Sequence, residues 1–359
     1  MNLVALCLSF VAACDAPRKL ELVSPQERQV FQRDQYGKAR VVVAGRCSDE
    51  LKAIGVTVYL ADRTSLAWRS LALTDVPGPL HEFHGEIEVP EGGWHKLAIE
   101  LRQSHTYQEP VGVDIGVGEV FVIAGQSNSA NFGEERFPAL DDRVSAFDGK
   151  RWSLAADPMP GVQDGSQDGS PWPLFGKLMR ESLDVPIGIA STGFGGTTIG
   201  EWQPNTKAKR GGYEFELYAG LRDRVRALGD VRAILWHQGE SDAERNTTRD
   251  EYVARFEKLA SQLDADTGAK HTWITARATF QPMTPPARME IIRSAQTLLW
   301  ERGLALRGPD TDDMLGTLRH STDHVHFNRA GLEEHARRWH ASVIVLLKSK
   351  TDAPAETKR

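Results

Sequence analysis

The chain has 359 residues, more than one hydrophobic core usually organises, which predicts two domains. Its 43 Lys+Arg stand against 49 Asp+Glu, a net charge of −6 with no basic stripe. That balance excludes the electrostatic footprint of a nucleic-acid binder and favours a neutral substrate over a polyanion.

The first residues, MNLVALCLSFVAACDAP, form an apolar run that ends in small residues. It is shorter than the roughly 20 residues a membrane span takes, so an export signal is predicted over residues 1–16. Val11-Ala12-Ala13-Cys14 resembles the lipobox of bacterial lipoproteins, where the cysteine is lipidated and becomes the new first residue. The resemblance implies an exported protein, periplasmic or at the cell surface, that meets a membrane only through a lipid on Cys14. It departs from the pattern in having no Lys or Arg ahead of the run, and a conventionally cleaved signal is the alternative. Lipidation of Cys14 and a Cys14–Cys47 disulfide are mutually exclusive.

Residues 20–117 read as short strands. ARVVVAGRC, IGVTVYLA, HEFHGEIEVP and WHKLAIELR are β-branched or alternating runs separated by Gly, Pro and Asp, which predicts a small all-β sandwich domain. His81, His84, His95 and His105 are scattered along it and form no catalytic cluster.

Over residues 118–348 strands and helices alternate. Strand-like runs fall at 120–124, 185–191, 231–236, 271–276 and 303–308, with helical periods at 215–228, 252–263 and 289–299 between them. The pattern predicts a doubly wound parallel α/β sheet whose functional groups collect at the carboxyl ends of the strands. A last helix is expected from an Asn328 N-cap to about Leu347, followed by a polar, disordered tail over 349–359.

Four polar clusters lie where such a sheet places a site: GQSN (125–128), TGFGGTTIGEW (192–202), WHQGESD (236–242) and TDHVHFNRAG (322–331). Serine hydrolysis needs a hydroxyl, a base, a carboxylate that fixes the base's tautomer, and donors aimed at the oxyanion. Ser127 is the candidate nucleophile and His326 the candidate base. Asp323, three residues earlier, is the candidate partner of its Nδ1 proton. Gly195 and Gly196 allow close approach of backbone N–H groups, and the Gln238 amide is a further candidate donor.

The set resembles the SGNH-type esterases of the sialate O-acetylesterase and acetylxylan esterase group, the carbohydrate esterase family 6 kind. That group carries Gly-Gln-Ser-Asn, Gly-Gly-Thr ending in Trp, Gln-Gly-Glu-Ser and Asp-x-x-His, present here in the same order over about residues 117–348. The resemblance implies the SGNH (flavodoxin-like) fold, a Ser127, His326 and Asp323 triad, and an oxyanion hole of the Ser127 amide, a glycine of the 195–196 pair and Gln238. It implies removal of acetyl groups from sugar hydroxyls with no cofactor or metal. Gln126, Asn128, Glu240 and Trp202 are expected to support the site or the substrate. Ser129 departs from the methionine common after GQSN and is expected to pack beneath the turn.

Two other readings stay open. HSTDHVH allows a metal site built from His320, Asp323 and His326, with His237 as a further candidate, and a carbohydrate-binding protein without turnover is compatible with the same fold. Glu240 and Asp242 are read as buried support and as a helix cap. Trp202, Trp172 and Trp236 are candidates for stacking on a sugar ring. The Gly/Ser-rich loop 164–172 is expected to form a mobile rim, its aspartates a weak hint of calcium.

Overall fold

The computed structural model describes residues 20–48, 53–75, 80–102 and 111–351. The predicted signal with Cys14, His105 and residues 352–359 of the predicted tail lie outside the described residues.

The N-terminal third is made of β1 (Leu20–Ser24), β2 (Gln29–Gln32), β3 (Lys38–Ser48), β4 (Ala53–Tyr59), β5 (Arg69–Ser70), β6 (Ala72–Asp75), β7 (Leu80–Pro90), β8 (Trp94–Arg102) and the first half of β9 (Val111–Gly125). One sheet runs β1-β3-β7-β6. In the other ladder β5 pairs β4, β4 pairs β8, and β8 and β2 both pair β9. Alternate residues of each, Val41, Val43, Phe83 and Ile87 from one and Val56, Val58, Leu97 and Ile115 from the other, meet in one apolar core that also takes in Cys47. The period-2 pattern of the sequence is what selects those inward faces.

The second sheet does not stop at residue 117. β9 is 15 residues long and carries on past the expected domain boundary, pairing through Glu119–Ile123 with β12 (Ile187–Ser191) and through Phe121–Gly125 with β15 (Ala233–His237), both parallel. Glu119, at the change of partner, is buried and receives Arg33 Nε at 2.8 Å, Gln32 Nε2 at 2.9 Å and Arg232 Nη2 at 3.0 Å. A buried carboxylate needs such donors, and these come from both sides of the boundary.

Around β9 the sheet order is β11-β10-β12-β9-β15-β16-β17, with β10 (Val144–Phe147), β11 (Trp152–Leu154), β16 (Trp273–Arg277) and β17 (Leu306–Asp310). All neighbours in this part are parallel except β10 and β11. Side chains alternate between two cores. Phe121, Ile123 and Leu235 pack with α1 (Trp172–Leu183) and α6 (Arg329–Thr351). Val122, Ala124, Ile234 and Trp236 pack with α2 (Leu217–Leu228), α4 (Arg249–Thr267) and α5 (Pro286–Glu301). Helices therefore cover both faces, which is why these strands read as continuous apolar runs. The chain is a mixed α/β protein.

Two helix expectations change. α6 starts as predicted, with Asn328 Oδ1 accepting the Gly331 N–H at 3.1 Å, but it runs on through Thr351 into the segment expected to be disordered. α1, and the short strands β10 and β11, were not anticipated; strands of three and four residues leave little periodicity to read.

Candidate active site

The chain passes from β9 out to β10 and back to β12 on one side, then crosses to β15 on the other, so sheet order reverses at β9. Three of the four polar clusters follow β12, β9 and β15, and the adjacency of these strands brings the clusters together where a doubly wound sheet opens its crevice.

The turn at Ser127 is shaped by Gly125, at φ +127°. A Cβ there would lie 2.1 Å from the His237 carbonyl oxygen, so close approach of the β15 backbone demands glycine. That carbonyl accepts the Gln126 N–H at 2.9 Å. A single 3₁₀ turn, Ser127–Ser129, follows, closed by Ser129 N–H to Gln126 O at 2.8 Å and Ala130 N–H to Ser127 O at 2.9 Å. Ser127 is 5% exposed. Its neighbours are all engaged inward. Gln126 Oε1 accepts from Ser241 N at 3.1 Å and Gln238 Nε2 at 3.3 Å, and Asn128 Nδ2 donates to Glu240 Oε1 at 3.0 Å. Ser129 packs beneath the turn, its Oγ donating to the Gln126 carbonyl at 2.7 Å and its own carbonyl accepting from Trp172 Nε1 at 2.9 Å.

Asp323 and His326 sit on the turn before α6. His326 Nδ1 lies 2.7 Å from Asp323 Oδ2, while Asp323 Oδ1 accepts the N–H groups of Val325 at 2.8 Å and His326 at 3.0 Å. Burial alone would raise the Asp323 carboxyl; the His326 ring N–H, the two backbone amides and the His326 charge outweigh it and bring it down to about 2. A fixed anion at Nδ1 leaves Nε2 as the nitrogen that can take a proton. Phe132 stacks on the imidazole, centroids 5.0 Å apart and planes 27° from parallel, and the same ring lies under Gly195. Five residues after Ser127, it links the turn at Ser127 to His326. Ser127 Oγ makes no hydrogen bond among the described residues.

Neither Phe132 nor Arg319 was anticipated. Arg319 Nη1 donates to Val325 O at 2.6 Å, Nη2 to Thr311 O at 2.9 Å and Nε to Met314 O, so one buried guanidinium ties together the loop that presents Asp323 and His326. Its charge lies over Phe280 and Phe327, 4.7 and 4.2 Å from the ring centres, and burial lowers its pKa to about 10. In the sequence it is one arginine beside a loop, and nothing local marks it as buried.

Several expected roles change. The Gly195 N–H donates to Asp164 Oδ2 at 2.6 Å, so it is occupied by the 164–172 loop. The Gln238 amide is fully buried and its nitrogen meets Thr197 O at 3.0 Å, Gln126 Oε1 at 3.3 Å and Asp242 Oδ2, which leaves no donor for an oxyanion. Gly196, at φ +65°, has open space where a side chain would stand, and its N–H donates to no group among the described residues. Asp242 does not cap the next helix. It holds Ile199 N at 2.8 Å and Thr247 Oγ1 at 2.6 Å, while Thr248 caps α4 with a capping box closed by Glu251. Trp202, Trp172 and Trp236 are fully buried, Trp202 donating to Thr197 Oγ1 at 3.0 Å, so none can stack on a sugar. The 164–172 loop is bonded into the rim by Asn131, whose Nδ2 donates to Ser166 O at 3.1 Å, by the Gly133–Gly169 bridge, and by Asp157, which receives Ser170 N and Oγ at 2.9 and 2.6 Å.

Glu240 is buried as expected and lies 3.4 Å from His237 Nε2. Among the described residues no three His, Cys, Asp or Glu side chains converge as a metal-holding group, so His320, Asp323 and His326 are not assembled as ligands. His320 instead faces Thr322, Nδ1 to Oγ1 at 3.0 Å.

A family model described as carbohydrate esterase, sialic acid-specific acetylesterase, matches residues 117–344. A protein named as a probable carbohydrate esterase from Arabidopsis thaliana is 25% identical over 171 residues, 41% of this chain and 64% of its own length, so the match spans under two thirds of that relative. Among solved structures, a carbohydrate acetylesterase from Xanthomonas citri superposes with a TM-score of 0.59 at 20% identity, over 92% of this chain and 76% of that one. An Arabidopsis thaliana protein gives 0.52 at 19% identity, over 63% and 98%. These two likenesses show the fold.

Proposed function

The chain belongs to the sialic acid-specific acetylesterase family of carbohydrate esterases, and on that premise we propose that it removes O-acetyl groups from carbohydrate through an acetyl-enzyme on Ser127. The observation that carries the reading is the 2.7 Å contact of His326 Nδ1 with a strongly acidic Asp323, the arrangement a histidine base needs. We read the fold as the SGNH kind, with the N-terminal sheets as a sandwich joined to it through β9.

In this mechanism His326 Nε2 takes the Ser127 proton as Oγ attacks the acetyl carbonyl, and Asp323 stabilises the imidazolium. The N–H groups of Ser127 and Gly196, neither committed to another described residue, receive the oxyanion in place of Gly195 and Gln238. Collapse of the tetrahedral intermediate breaks the ester bond, and His326 returns the proton to the leaving sugar oxygen. Water deprotonated by the same nitrogen then attacks the acetyl-enzyme and releases acetate.

The test is acetate release from p-nitrophenyl acetate and from O-acetylated sugars, with and without chelator, beside Ser127→Ala. Turnover that survives chelator and is lost in the variant supports the reading. Turnover unchanged in the variant overturns it.

A further inference from the structure

Beneath the nucleophile turn lies a buried row of polar side chains that the proposed chemistry does not use. Trp339 Nε1 lies 2.9 Å from His335 Nε2, that same Nε2 lies 3.2 Å from His237 Nδ1, and His237 Nε2 lies 3.4 Å from Glu240 Oε1. Glu240 Oε1 in turn receives Asn128 Nδ2, next to Ser127. His335, His237 and Trp339 are fully buried and Glu240 is nearly so.

The protons in this row can be counted. Tryptophan is only a donor, so His335 Nε2 must accept. A lone pair on His237 Nδ1 would then face a lone pair on His335 Nε2, so His237 Nδ1 carries hydrogen. The other nitrogen of the same ring faces a carboxylate oxygen that already accepts from Asn128. At 3.4 Å this is an ion-pair distance, short of good hydrogen-bond geometry. We propose that His237 is held as an imidazolium paired with the Glu240 carboxylate, and that this buried pair is a positioning device which fixes Asn128 and with it the Ser127 turn.

Burial, and the nearby charges of His237, Arg319 and Arg338, push His335 well below the ordinary histidine range, as its role as a neutral acceptor requires. Burial alone would raise Glu240, but the His237 contact and the Asn128 bond hold it below the usual glutamate value. The other charged or titratable groups around the pair are Arg319 from the loop before α6, Arg338 from α6, and Asp242 and Tyr252 from α3 (Glu240–Glu244) and α4. The functional consequence rests on the serine-esterase reading; the proton count does not.

The test is long-range proton–nitrogen correlation spectroscopy of the full chain with labelled histidine, assigned with His237→Gln. At neutral pH the His237 ring is expected to show two protonated nitrogens, and His335 the neutral Nδ1–H tautomer. Trp339→Phe frees His335 Nε2 to carry a proton and donate it toward His237, so the imidazolium signature is expected to vanish. Glu240→Gln, which removes the counter-charge, is expected to abolish it as well, serves if the Trp339 variant fails to fold, and lowers kcat by up to about 10²-fold with KM little changed. A neutral His237 in the unaltered protein, or an imidazolium that persists in both variants, overturns the proposal. An imidazolium in a protein with no esterase turnover would support the pair while refuting the serine reading.

Discussion

Gln126, Asn128 and Ser129 spend their side chains inside the sheet, on Ser241, Glu240 and the turn's own backbone, whereas Asp323 is 38% exposed in its side chain and hangs on a loop held by Arg319 and a ring stack. On the proposed reading, the half of the site that carries Ser127 is thus part of the core, and the half that carries His326 is clipped onto it. The difference teaches where folding and chemistry are separable. Changes to the buried contacts of the first half disturb packing and catalysis together, while changes to the Asp323 and His326 side chains, unlike changes to the Arg319 clip beneath them, alter catalysis in a protein that still folds.

The largest effect tests the shared end point of both halves. Ser127→Ala is expected to lower kcat on p-nitrophenyl acetate by about 10⁶-fold, with an unfolding transition close to that of the unaltered chain. Asp323→Asn, on the exposed half, is expected to cost about 10⁴-fold in kcat through the wrong imidazole tautomer, again with little change in stability. A large loss of stability in Asp323→Asn would break the comparison.

Arg319→Met attacks the clip itself. Three carbonyls lose their donor, so stability should fall by about 2–4 kcal/mol and kcat by up to about 10²-fold, read by denaturant unfolding and steady-state kinetics. Gln238→Ala probes the buried half. It should lower stability by about 1–3 kcal/mol, because Thr197, Gln126 and Asp242 lose a shared donor, and kcat should fall in step with the disturbed packing. A kcat loss of about 10²–10³ at unchanged stability would restore Gln238 as an oxyanion donor.

The smallest effect concerns the rim. Burial raises the Asp157 carboxyl to about 6 despite the Phe137 and Ser170 donors. Its folded pKa is above its unfolded value near 4, so the native state binds the extra proton and stability falls as pH rises from about 4 to about 6. Asp157→Asn should flatten Tm over that window; an unchanged slope would assign the pH dependence elsewhere.

Much of this was legible along the chain. The five central strands, the helices α2, α4, α5 and α6 and the strands β3, β4, β7 and β8 follow from hydrophobic period, because burial on one or both faces writes that period directly into the sequence. The candidate residues Ser127, Asp323 and His326 stand out because each closes a local motif at the end of such an element. The domain boundary was less legible. A strand that changes partners at Glu119 looks the same on both sides of the change, and the carboxylate's three partners, Gln32, Arg33 and Arg232, lie up to 113 residues away.

Sequence alone therefore determined the longer strands and most of the helices, the family pattern, and a histidine with its carboxylate three residues before it, since all of these are local. Which donors remain free could only be decided by tertiary structure. Gly195 and Gln238 carry the right groups, but Asp164, Asp242 and Thr197 reach those groups first, from elements 31 residues away, four residues away and 41 residues away. A hydrogen-bond donor is used up by whichever acceptor the fold brings within about 3 Å, and that distance is set by how the chain packs around each group, even where, as for Gln238 and Asp242, both lie in one short stretch.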